Sequence, residues 1–127
     1  MVISKRNDSK LAEMIAQGFI KPLDEQLYLF WFTYKKADVY PEESVLFYKE
    51  HNPFGVHLLM KGSAYVEYFQ ERKIKYVHID MPAMIGLNHI VSSSPYKYSV
   101  ITHGKTEFIF IPKSVLSELK IGSKFRL

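Results

Sequence analysis

The sequence contains no cysteine, so disulfides, thiolate-held iron–sulfur clusters and thiol nucleophiles are all excluded. No stretch reaches the roughly 18 consecutive apolar residues that a membrane helix needs. The opening MVISKRNDSK lacks the apolar core of an export signal, so the expected setting is the cytoplasm, without a membrane partner. Neither a glycine-rich phosphate loop nor a dinucleotide fingerprint is present. The five histidines, His51, His57, His78, His89 and His103, include no His-x-His pair and no acid at the offset a metal-binding jelly roll uses. Surface or hydrogen-bonded imidazoles are the expectation, with no metal and no cofactor; a haem ligand would have to be His78 or His89. Ser92-Ser93-Ser94 has no glycine elbow and no acid–histidine partner pattern, so it reads as a polar cap and not as a nucleophile. The expectation is a non-enzyme.

What is present describes one globular domain. The 127 residues suffice for a single core and are too few for two ordinary ones. Hydrophobic residues make up 47% and charged residues 24%, a folded rather than disordered balance. Nine Tyr and nine Phe raise the aromatic share to 15%, which favours strands. The net charge of +4 is spread along the chain, so a solvated surface is a better reading than a nucleic-acid face.

Taken in order, residues 1–8 are polar and expected to fray. From an N-cap at Asp8 or Ser9, Leu11, Met14, Ile15 and Phe19 form a helical stripe, and Gly18 suits its left-handed C-cap. Pro22 suits a first helical position, with further turns over Leu23 to Leu27. The later half of Leu27 to Tyr34 is so aromatic that it reads as the first strand. Short strands then follow turns at Pro41–Ser44 and Asn52–Gly55: Val45–Tyr48, Val56–Met60 ending at Lys61-Gly62, and an alternating strand through Ala64, Val66 and Tyr68. Gln70 to Lys73 is a hairpin tip, and Ile74–Ile79 alternates again. Tyr98–Thr102 and Glu107–Ile111 are expected to pair across His103-Gly104-Lys105. Pro112 and Lys113-Ser114 open a short helix whose face carries Val115, Leu116 and Leu119. The expected fold is mainly β, an antiparallel double-stranded β-helix (a jelly-roll or cupin-like β-roll) with short flanking helices. Residues 1–28 form its N-terminal helical segment, 29–111 the roll and 112–127 the start of a C-terminal helix.

The order of these features resembles the sensor domain of the cAMP receptor protein and fumarate-nitrate regulator family. The resemblance runs from about Tyr34 to Leu119. It rests on Pro41-Glu42-Glu43-Ser44-Val45-Leu46-Phe47, on Val56 to Gly62, on Met84-Ile85-Gly86, on Pro95 to Val100 and on Phe108 to Leu116. Within that family, cyclic-nucleotide binders follow the loop glycine with a glutamate for the ribose. They also place an arginine after the loop proline for the phosphate. Here those positions are Leu87 and Tyr96, with Lys97 beside the latter. A lysine supplies a point charge but not the bidentate fork of arginine. Glu50-His51-Asn52-Pro53 stands where a glycine–acid pair is expected. The Ile85-Gly86-Leu87-Asn88 loop is most similar to enterobacterial winged-helix transcription regulators with degenerate sensor domains.

The resemblance implies a regulatory domain that ignores cyclic nucleotides. A ligand or partner would bias a C-terminal dimer helix and a DNA-binding domain beyond this chain. The ligand-pocket candidates are Gly86, Leu87, Asn88, Tyr96, Lys97, Tyr98 and Ser99. Expected partners are a small-molecule effector, a second copy of the chain, and DNA only through that further domain. Two alternatives stand beside this reading. One is a stand-alone, small-molecule-binding cupin-like protein; the other is a divergent cyclic-nucleotide binder that uses Lys97 and backbone amides. The aromatic set Tyr65, Tyr68, Phe69, Tyr96 and Tyr98 is expected mainly to pack the roll. Lys113, Lys120, Lys124 and Arg126 make a basic end, read as a solvated helix face.

Overall fold

A computed structural model describes residues 8–118 of the protein. The expectations for the first seven residues and for Leu119, Lys120, Lys124 and Arg126 lie outside that range. Helix α1 (Asp8–Ala16) ends at Gly18 as its sequence indicates. Gly18 has φ 82°, its N–H donates to the Ile15 carbonyl at 3.0 Å, and the Phe19 N–H donates to the Met14 carbonyl at 3.0 Å. Those two bonds define a Schellman cap. The chain then turns Phe19 and Ile20 fully inward.

Two expectations fail in the next segment. Pro22 does not open a helix; it closes the short strand β1 (Ile20–Pro22). That strand lies at one end of the sheet, where a proline removes no ladder bond. The later half of Leu27 to Tyr34 is not a strand; the whole stretch lies in helix α2 (Glu25–Tyr34), capped by the Asp24 carboxylate, which accepts the Leu27 N–H at 2.8 Å. Trp31 is fully buried, with Leu27, Tyr28 and Phe30 half-buried around it, while Phe32 and Tyr34 stay exposed.

The sheet comprises β1, β2 (Asp38–Tyr40), β3 (Val45–Phe47), β4 (Gly55–Gln70), β5 (Lys73–Ile79), β6 (Ala83–Ile85) and β7 (Ser99–Pro112). All its pairings are antiparallel, in the order β1-β6-β4-β7-β2, with β3 on β7 and β5 on β4. The sheet is open, because β1 and β2 end that order without meeting. Strands β4 and β7 form a long central ribbon. Its one half carries β6 and β2 as neighbours, and its other half carries β5 and β3. Consequently the two halves of β7 do not pair with each other across Gly104, as the sequence suggested; both pair with β4. Likewise β4 continues through Lys61-Gly62 instead of stopping there. The register shifts between Leu59, Lys61 and Ser63, and this irregularity exchanges the inward-facing parity from Leu59 to Ala64. At Gly62 (φ 102°) a Cβ would lie 2.7 Å from the Lys105 carbonyl oxygen, so the ribbon closes here only around a glycine.

Alternation along the ribbon builds two apolar layers. Leu59, Ala64, Val66, Tyr68 and Phe108 face the inside of the roll with Phe19, Phe47, Val77, Ile79, Ile85, Tyr96 and Tyr98. Val56, Leu58, Met60, Ile109 and Ile111 face outward, and are covered by Trp31 of α2, by Leu87 and Ile90 of α3 (Leu87–Ser92), and by Leu116 of α4 (Lys113–Glu118). Helix α3 is internal to the roll segment, whereas the sequence led only to short flanking helices. At the ribbon's end, the Lys113 N–H that begins α4 donates to the Phe54 carbonyl at 2.8 Å.

Candidate functional site

The loop from Ala83 to Val100 is arranged around Gly86, the left-handed N-cap of α3 (φ 90°). Its N–H donates to the Phe19 carbonyl at 2.8 Å, and the Asn88 N–H donates to the Gly18 carbonyl at 3.3 Å. These two amides at the head of α3 are therefore committed to the cap of α1 and are not presented to a ligand. Leu87 turns outward into the layer beneath Trp31. Asn88 is half-buried, and its Oδ1 is buried without a hydrogen-bond partner.

Tyr96 occupies the centre. It is buried, with its ring stacked on Phe47 at a centroid distance of 3.7 Å and an interplanar angle of 13°. Its hydroxyl donates to the Gly55 carbonyl at 3.3 Å, and burial pushes the phenol up to about 12. A Cβ on Gly86 would stand 3.1 Å from Tyr96 Cε1, so the glycine is what lets this ring lie flat over the loop. Where the resemblance calls for a guanidinium, the roll holds a neutral aromatic plug.

The remaining candidates separate. Lys97 is exposed, with its Nζ 5.7 Å from the centre of the Tyr98 ring. Tyr98 is buried and donates to Gln17 Oε1 at 3.3 Å. Ser99 Oγ accepts the Lys49 N–H at 2.8 Å. Gly86 and Tyr96 thus meet; Leu87 faces the other layer, and Lys97 and Ser99 serve the neighbouring strand and the exterior. The packing expectation holds for Tyr65, Tyr68, Tyr96 and Tyr98, whereas Phe69 is 60% exposed.

Sequence reasoning missed the role of His89. Its ring lies at hydrogen-bond distance from Ser94 Oγ (3.2 Å, Nδ1) and from the backbone N–H of Lys97 (3.3 Å, Nε2). A backbone amide only donates, so Nε2 is the acceptor and the neutral ring carries its proton on Nδ1. Burial, with the Lys97 charge second, holds the imidazole below its ordinary pKa, consistent with a neutral ring. Ser92 and Ser94 hydroxyls lie 2.6 Å apart beside it, and Ser93 is the left-handed C-cap of α3. The three serines cap a helix and brace the loop.

Beyond Tyr96 the inside of the roll opens as a trough of about 910 Å³. Its walls are Tyr40, Val45, Leu46, Phe47 and Tyr48 from β2, β3 and the following turn, Glu50, His51, Asn52 and Phe54 from the loop, His57 of β4, and Tyr96 and Phe110. The volume lies within the range of small-molecule sites. His57 sits against Phe47 and Phe110 at centroid distances of 5.5 and 4.9 Å. Its Nδ1 is buried without a hydrogen-bond partner, and burial depresses its pKa from 6.5 to about 4. At neutral pH this imidazole is uncharged. A histidine inside the apolar run Val56-His57-Leu58-Leu59-Met60 was the available signal for this wall.

No family model matches the sequence, and neither does any curated protein. Solved structures do match in fold. The catabolite activator protein of Thermus thermophilus superposes with a TM-score of 0.61 at 12% identity, over 80% of this chain and 51% of that one. A putative cyclic nucleotide binding protein of Ruegeria pomeroyi gives 0.59 at 19% identity, over 76% and 44%. The regulatory domain of Toxoplasma gondii PKA, in complex with cAMP, gives 0.59 at 12% identity, over 68% and 34%. An EAL enzyme in a cGMP-bound form gives 0.58 at 10% identity, and the matched region is 23% of its chain. This chain therefore spans about half or less of each of these four proteins. Among the described residues no helix is long and apolar enough to cross a membrane. The chain has the fold of a cyclic-nucleotide-binding domain, a mainly antiparallel β-roll with short helices.

Proposed function

We propose that this chain is a non-catalytic sensor domain of a regulatory protein, built on the cyclic-nucleotide-binding fold but closed to cyclic nucleotides. The observation that carries the second half is Tyr96. A cyclic phosphate seated on this loop would have to displace a ring stacked on Phe47. At the position of the expected guanidinium it would meet a neutral aromatic ring, and desolvating an unpaired phosphate costs several kcal/mol. The Gly86 and Asn88 amides, bonded to Phe19 and Gly18, supply no substitute. Lys97, the cation nearest in sequence, lies outside over Tyr98.

The fold shared with a catabolite activator protein and with a kinase regulatory domain supports the first half of the reading. Output would pass through α4 toward a dimer helix and a DNA-binding domain outside this chain, as a shift between two populations. Calorimetric titration with cAMP and cGMP tests the reading. The expected result is no heat of binding at nucleotide concentrations up to about 1 mM, whereas a micromolar site of unit stoichiometry would overturn it.

A further inference from the structure

The trough beyond Tyr96 differs from the rest of the surface in its charge. Among the described residues no Lys or Arg lines the trough, although Lys35 Nζ donates to the backbone carbonyl of its wall residue Phe110 at 3.1 Å, and its one carboxylate is Glu50. Among the described residues no cation pairs with that carboxylate. Burial pushes His57 below and Tyr96 above its ordinary pKa, so these two wall rings are neutral at pH 7.

The backbone beneath the acid is also held in place. The His51 N–H donates to the Tyr48 carbonyl at 3.2 Å, closing a turn in which Glu50 takes the left-handed conformation (φ 74°) that glycine would fill without strain. The Glu50 N–H donates to the Tyr96 carbonyl at 2.8 Å, and the Tyr96 N–H donates to the His51 carbonyl at 3.0 Å. The turn bearing the carboxylate is thus bonded directly to the floor of the trough. Tyr48 and Phe54 stand at the mouth, 54% and 78% exposed; the Tyr48 ring meets His51 at a centroid distance of 5.4 Å, and both rings keep surface open to solvent.

Aromatic faces attract cations through the ring quadrupole and repel anions, and a single carboxylate adds to the same preference. We propose that this trough binds a small organic cation of the arylalkylammonium class, its apolar body against Phe110 and Tyr96 and its charge near Tyr48, Phe54 and Glu50. The proposal names the ligand class of the sensor domain inferred above, and rests on that reading only for what binding would achieve.

The test is an amide-detected NMR titration of the full chain with benzyltrimethylammonium, with phenylacetate and benzyl alcohol as anionic and neutral comparators. The cation is expected to bind at about millimolar affinity or tighter, shifting the amides of Glu50, His57 and Phe110. Phenylacetate is expected not to bind, and benzyl alcohol to bind at least about fivefold more weakly. Glu50→Gln and Phe54→Ala alter exposed side chains, so both variants fold, and each should weaken the cation by about three- to tenfold. Equal binding of phenylacetate, shifts confined to another surface, no effect of either variant, or no binding of the cation would each overturn the proposal. A separate cAMP titration decides the cyclic-nucleotide question, so failure of one reading is distinguishable from failure of the other.

Discussion

Replacing His57 by phenylalanine should remove a defined part of this protein's acid sensitivity. The imidazole packs between Phe47 and Phe110 with a buried, unpartnered Nδ1, so a phenyl ring fills the same space without a titratable group. Its pKa is 6.5 in the unfolded chain and about 4 in the folded one. Between those values the unfolded state holds the proton and the folded state does not, so falling pH favours unfolding. The stability associated with neutral His57 is fully present above 6.5 and is lost as pH falls through about 4. At 1.36 kcal/mol per pH unit, the separation corresponds to roughly 3 kcal/mol. Urea unfolding of wild type and His57→Phe, run at intervals from about pH 7.5 to about pH 4, supplies the comparison. Near neutrality the two should differ by less than about 1 kcal/mol, because removing an unsatisfied polar atom is close to neutral or stabilising. Toward pH 4 the variant should gain steadily on the wild type, up to about 3 kcal/mol. His89, also held below its ordinary pKa, remains in both proteins and cancels in the difference. A difference that stays flat across the range would refute the assignment of a dry, neutral His57.

Other substitutions test the packing around the site. Tyr96→Ala opens the stack on Phe47 and should cost about 3–5 kcal/mol in chemical denaturation, whereas Tyr96→Phe loses only the bond to Gly55 and should cost about 1 kcal/mol. Gly62→Ala drives a Cβ to 2.7 Å from the Lys105 carbonyl oxygen and should lower the melting temperature far more than Gly104→Ala. The latter site is also left-handed but has no atom within 4 Å, so about 1–2 kcal/mol is expected there. Asp24→Ala removes the α2 cap and should cost about 1 kcal/mol, read as a matching drop in the urea midpoint.

The readable parts of the fold were those whose information is local. Gly18 announces a helix end because a left-handed cap needs a residue without Cβ. The alternation of Ala64, Val66 and Tyr68 announces a strand because one face is buried. Helix α2 was unreadable for the converse reason: its aromatic residues have strand propensity, and Leu29 and Phe32 stay exposed, so no clean helical stripe appears. Docking of Trp31 onto the outer layer overrides that propensity. Gly104 looked like a hairpin turn because a positive-φ glycine between two apolar runs usually is one. Only pairing of both halves with β4 shows otherwise. At the site, the exchange of arginine for Tyr96 was legible residue by residue. The engagement of the Gly86 and Asn88 amides by Gly18 and Phe19 was not, since it joins segments almost seventy positions apart. The trough was hidden for the same reason: Tyr40, Glu50, His57 and Phe110 come from four separate stretches.

The bond from the Lys113 amide to the Phe54 carbonyl has a kinetic corollary. Phe54 is the most exposed of the large hydrophobic residues described, yet its backbone holds the first peptide group of α4. The Lys113 proton can exchange with solvent only when that carbonyl swings away, so its exchange rate counts openings of the Phe54 loop. An occupant that pins the phenyl ring should slow deuterium uptake at Lys113, and a loop deletion should speed it. One amide, read over time, therefore reports from the start of α4 on events at the mouth of the roll.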